Sequence, residues 1–126
     1  MKRLLYTLVL LVGFGSVAMA QADRRANITI SEGNTELLAS KTSGEYTFTL
    51  PEGITGEDVA NKSKYYTSSM TVVFDESTQV AQLTMVDNTV QSRYVIPRFL
   101  TACGTHNIRV DDTLITIDEF IEDYLK

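Results

Sequence analysis

The chain has 126 residues, 16 acidic against 11 basic, for a net charge of −5 at pH 7, and a single cysteine, Cys103. Acidity without a clustered run of Lys and Arg excludes a binder of nucleic acid or of anionic membrane surfaces. One thiol excludes an internal disulfide, so a small hydrophobic core must hold the fold by itself.

Lys2 and Arg3 precede an apolar run from Leu4 to Val17, and Ala18-Met19-Ala20 then places small residues where a signal peptidase cuts. The pattern predicts a secretory signal peptide over residues 1–20, cleaved before Gln21. The run falls short of the roughly 20 apolar residues that cross a bilayer, so no membrane span is expected after cleavage. Export to the periplasm or medium follows. Loss of Lys2 and Arg3 leaves nine basic residues against sixteen acids, a mature charge of −7, which favours solubility.

Residues 21–44 read as an N-terminal extension. Asn27-Ile28-Thr29-Ile30 alternates like a short strand pairing with the sheet edge, and Glu36 to Ala39 has helical character for barely a turn. Thr42-Ser43-Gly44 reads as a loop. From Glu45 to Leu50, Tyr46, Phe48 and Leu50 share one face of a strand. Thr55, with Asp58 three residues on, opens a helix by something close to a capping box, and Thr67-Ser68 closes it.

Ser69 to Val86 gives the strongest local signal. Met70, Val72 and Phe74 share one face of a strand, Ala81, Leu83 and Met85 that of the next, and Asp75 to Thr78 form the turn between them. A helix after Ser92 presents Val95, Ile96, Phe99, Leu100 and Cys103 as one stripe, with Arg93 and Arg98 toward water and Gly104 as the stop. Pro97 requires either a kinked start or a shorter helix. His106 to Val110 is the last expected strand. Asp111-Asp112 turns the chain, and Thr116 with Glu119 caps a C-terminal helix carrying Ile117, Phe120, Ile121 and Tyr124. The expected core is Phe48, Met70, Val72, Phe74, Leu83, Met85, Ile96, Phe99, Leu100, Ile108 and Val110.

From Glu45 onward the order is strand, helix, strand, strand, helix, strand, with one further helix. That order predicts an α+β, ferredoxin-like βαββαβ domain over residues 45–126: four antiparallel strands with two helices on one face, plus a C-terminal helix. The element spacing, the VVFDES entry to the hairpin and the FLTACGTHNIRV run resemble the heavy-metal-associated (HMA) domain family. The resemblance implies a small metallochaperone-like module, with metal held by Cys-x-x-Cys in the loop after the first strand. Here that loop is Pro51-Glu52-Gly53-Ile54-Thr55-Gly56, without cysteine, so the family's metal site has no residues to carry over.

One replacement site suggests itself. Cys103 and His106, with Glu52 at the same end of the sheet, combine thiolate, imidazole and carboxylate, which suit zinc or copper. The competing reading makes Cys103 a buried apolar residue and His106 a solvated one. Nucleophilic catalysis has no enclosed Cys–His pair to draw on, and adjacent Asp111 and Asp112 read as turn residues rather than a proton-sharing pair. Tyr65-Tyr66, between Lys62 and Lys64 and the strand beyond, reads as one packed and one half-exposed ring. The sequence therefore points to a small exported, non-enzymatic binding module with a protein partner and no cofactor. The alternative is a periplasmic metal-handling protein using Cys103 and His106.

Overall fold

The computed structural model describes residues 27–126, so the expected signal peptide and the first residues of the extension lie outside the described residues. The elements run in the order β1 (Ile28–Ser31), α1 (Asn34–Ser43), β2 (Glu45–Thr49), α2 (Gly56–Ser63) running into a 3-10 turn, β3 (Met70–Asp75) and β4 (Val80–Met85). There follow α3 (Val90–Arg93), α4 (Val95–Ala102), β5 (Asn107–Val110), β6 (Thr113–Thr116) and α5 (Ile117–Phe120), which continues as a single π turn through Leu125.

The architecture is mixed α+β, with one sheet in the order β3-β4-β2-β1-β5-β6. This corrects the expected four-stranded antiparallel sheet in two places. First, β1 does not flank the sheet; it lies inside it, antiparallel to β2 through Ile30↔Thr49 and parallel to β5 through Ile28↔Asn107, Thr29↔Ile108 and Ile30↔Arg109. Its inward residue is polar: Thr29 is fully buried and its hydroxyl lies 2.5 Å from that of Thr105, 76 residues away. A buried hydroxyl is tolerable only with such a partner, and the partner comes from a distant segment. Second, Leu114-Ile115 does not simply lead into a helix. It pairs with β5 as β6, Asn107↔Thr116 to Val110↔Thr113, across a turn in which Asp111 takes a left-handed φ of 54°. Short-chain Asp tolerates that conformation.

Helix α1 extends well beyond the single turn expected. Its N-terminal neighbour is Gly33 at φ 115°, which supplies no side-chain cap. The Asn34 amide is instead bonded by Asp111 Oδ2 at 3.2 Å, from the β5–β6 turn. Gly44, at φ 77°, ends the helix by donating to Ser40 O at 2.7 Å, a left-handed stop that glycine adopts at least cost. The Thr55–Asp58 capping box of α2 is present in full, Thr55 Oγ1 accepting from Asp58 N and Asp58 Oδ2 from Thr55 N, each at 3.1 Å.

Pro97 is accommodated by a shorter helix. The chain makes one turn as α3 and resets at Tyr94, so Pro97 falls in the first turn of α4, where no N–H is required. The reset also reorients Arg93, which was expected to face water and is buried. Its Nε donates to Leu125 O (2.9 Å) and one terminal nitrogen to Asn88 O and Oδ1 (3.2 and 3.0 Å). Asn88 Nδ2 in turn donates to Lys41 O at the end of α1 (2.9 Å). The Leu125 carbonyl at the end of the C-terminal turn and the two oxygens of Asn88 thus solvate a buried guanidinium, the first as helix carboxyl ends favour cations.

The core lies between the helices and one face of the sheet. Of the expected core residues, Val72 and Phe74 are half-buried against it and the others are buried. Leu37, Val59, Phe120 and Leu125 join it from the helices. Phe48, in the inner strand β2, is the hub: its ring stacks along the strand on Tyr46 (6.2 Å) and meets the edge of Phe120 (5.9 Å, 69°), which contacts Tyr124 (5.6 Å). Aromatic pairs at such separations and angles stabilise beyond their buried area. Among the described residues no helix is long and apolar enough to cross a membrane.

Phe120→Ala should lower unfolding stability by about 3–5 kcal/mol, because it leaves a cavity against Phe48. Leu114→Ala, on the exposed sheet face, should cost within about 0.5 kcal/mol. Urea denaturation followed by circular dichroism distinguishes the two.

Candidate functional site

Among the described residues no element covers the face of the sheet turned away from the helices. One row of paired residues crosses all six strands on that face: Asp75–Val80–Thr49–Ile30–Arg109–Leu114. Ile30 is 45% exposed in the middle of it. Where the row meets the turn after β2, the surface is concave, forming a groove of about 570 Å³. Its apolar part is Ile28 and Ile30 of β1 with Leu50 and Pro51 beyond β2. Arg109 on β5 and Glu52 in the turn supply one charge of each sign.

The groove's rim is held by Gln79, at the end of the β3–β4 turn. A left-handed φ of 61° directs the Gln79 carbonyl at the Leu50 amide (2.8 Å). Its side-chain Nε2 donates to Ile54 O and Glu76 O, both at 2.9 Å, which ties the turn after β2 to the β3–β4 turn. Gln79 Oε1 is buried without a hydrogen-bond partner. Within the same turn Asp75 accepts from the amide and hydroxyl of Ser77 (3.0 and 2.6 Å), and those bonds hold its carboxyl below the usual carboxylate range. The guanidinium of Arg109 and the carboxylate of Glu52 enter no hydrogen bond or ion pair among the described residues.

The expected metal ligands are placed apart. The turn after β2 and the start of β5 do share one end of the sheet, since β2 runs antiparallel to β1 and β1 parallel to β5. β1, however, stands between them. Glu52 borders the open-face groove, His106 is exposed, and Cys103 belongs to the core on the opposite face, 3% exposed. Among the described residues no three His, Cys, Asp or Glu side chains are gathered closely enough to hold a metal ion.

The local sequence explains where Cys103 goes. Gly104, at φ 90°, donates to Thr101 O (3.0 Å) and Thr105 N–H to Leu100 O (3.0 Å), a Schellman stop that turns Cys103 inward and commits Thr105 to Thr29. His106 N–H then bonds Asn27 O (2.8 Å), joining β5 to the start of β1. Burial pushes the Cys103 thiol from 9.0 up to about 11, so the thiolate required of a nucleophile or metal ligand is disfavoured at neutral pH.

The groove residues were not singled out by sequence reasoning, Glu52 excepted. A usable signal existed in Arg109: a lone cation in the outward register of a strand whose alternate residues, Ile108 and Val110, are apolar. No family model, curated protein or solved structure matches the chain.

The raised Cys103 and Tyr46 groups fix the sign of the alkaline response. Burial lifts the Tyr46 hydroxyl from 10.0 to about 12, partly opposed by the positive charge of Arg93. Both groups hold their protons more tightly when folded, so their contribution to stability is constant below about pH 9 and is lost as pH rises through 9 to 12. Urea midpoints measured from pH 8 to 11 should decline, and Cys103→Ala should flatten the part of the slope between 9 and 11.

Proposed function

We propose that this chain is a small exported, non-catalytic binding module that contacts a peptide or protein ligand through the groove on its uncovered sheet face. The observation that carries this reading is the groove itself. A cavity of about 570 Å³ falls within the range of ligand sites, roughly 300–1,000 Å³, and combines an apolar floor with a few polar groups as such sites do. Its charged lining is one carboxylate, Glu52, and one guanidinium, Arg109, a pair suited to holding opposite charges on a ligand.

In this reading the fold is a ferredoxin-like unit of the HMA type enlarged by two strands, β1 and β6. Supporting this are the adjacency of β2 and β4, the placement of β3 beside β4, and a β5 whose direction is antiparallel to β2. In that reading β1 is an insertion between the first and last strands of the unit, and its arrival creates the groove beside the loop that carries metal in the resembled family. The competing reading, metal handling through Cys103 and His106, gains nothing from the placement of those side chains.

A photo-crosslinking residue at Thr78, on the groove rim, should yield discrete adducts when the protein is expressed in its native host. The same residue at Asp118, exposed on α5, should not. Adducts from neither position, or equally from both, would contradict the groove as the contact surface.

A further inference from the structure

The groove presents two opposite charges with apolar surface between them, and we infer that its ligand is a short apolar peptide with both termini free, the carboxylate held by Arg109 and the ammonium by Glu52. This assignment rests on the groove being a binding site and adds the chemistry of what it takes.

Register places the two charges at opposite ends. Arg109 is level with Thr49, with Ile30 between them; strands lie about 4.8 Å apart, so Arg109 stands roughly 10 Å across the sheet from Thr49. Glu52 lies three residues past Thr49, on the order of 10 Å further along the chain. Both side chains line the groove. The remaining gap matches one to three residues of extended peptide at about 3.5 Å each. Ile28 and Ile30 lie under that path and offer apolar contact, not hydrogen bonds, so the peptide's side chains should be aliphatic.

Charge balance narrows the class further. A simple anion would meet Arg109 but also Glu52, in a protein whose net charge is −5; a simple cation would meet the reverse. A zwitterion satisfies both groups and carries no net charge for the protein to repel. The guanidinium fork suits a carboxylate bidentately. Thr49 and Thr78, on the rim, supply hydroxyls within the same groove for the peptide's backbone.

Trileucine is a suitable probe, titrated into the isolated protein with its isoleucine methyl groups labelled for NMR. Saturable shifts confined to Ile28 and Ile30 are expected. C-terminal amidation of the peptide, or Arg109→Gln, should weaken binding about tenfold or more, as loss of one charged hydrogen-bonding partner does. N-acetylation, or Glu52→Gln, should do the same. Both substitutions are at exposed positions, and unchanged spectra elsewhere verify the fold. Binding indifferent to both end-blocks and both variants overturns the zwitterion assignment. So does an absence of shifts at millimolar peptide; if Thr78 crosslinks still form in that case, only the ligand class falls and the groove reading stands.

Discussion

The fold depends on what happens to four residues, Ile28 to Ser31. As β1 they are bonded on both sides, antiparallel to β2 and parallel to β5. Without β1, β2-β4-β3 would be one small sheet and the β5–β6 hairpin another, each with an unpaired edge of exposed amides and carbonyls. A two-stranded hairpin alone is marginal in water. One inserted strand converts both fragments into a continuous six-stranded layer. The Thr29–Thr105 hydroxyl pair anchors the junction from the core side, and the Asn27 carbonyl accepting from His106 closes its lower end.

The same insertion organises both faces. On the core side, the helices close over Phe48 and Tyr46, and the C-terminal turn brings Phe120 and Tyr124 onto them. Arg93 then ties Leu125 to Asn88, and Asn88 to the end of α1, so the last residues of the chain are linked to the helix that follows β1. Tyr124 adds a direct bond from its hydroxyl to Asn34 Oδ1 at the start of that helix (2.7 Å). On the open side, β1 places Ile28 and Ile30 between the turn holding Glu52 and the strand holding Arg109. Core and groove are therefore two consequences of one pairing.

Those parts of the architecture governed by local rules were legible in the sequence. Period-two alternation marked β2, β3, β4 and β5, and the Thr55 and Thr116 caps marked two helix starts, because caps and pleats bring their partners within a few residues. The parts missed, namely the full length of α1, the interior place of β1 and the burial of Arg93, were governed by distant partners. α1 begins at a glycine and takes its cap from Asp111, about eighty residues on. β1 buries a threonine whose acceptability rests on Thr105. Arg93 reads as solvated until Pro97 is seen to break the helix behind it. The site follows the same division: ligand chemistry and a shared end of the sheet single out Cys103, His106 and Glu52. With β1 between its flanking strands, Glu52 belongs to a different surface from Cys103, and it lines the same groove as Arg109, a residue no motif marks.

Amide hydrogen exchange across the sheet tests the interior placement of β1 most directly, because exchange reports the opening free energy of each bonded strand. The account predicts that Thr29 and Ile30 exchange as slowly as Phe48 in β2 and Ile108 in β5, opening only with the whole fold. Rapid exchange at Thr29 and Ile30 while β2, β4 and β3 stay protected would show that β1 is a dispensable addition, and would contradict both the six-stranded layer and the groove built on it.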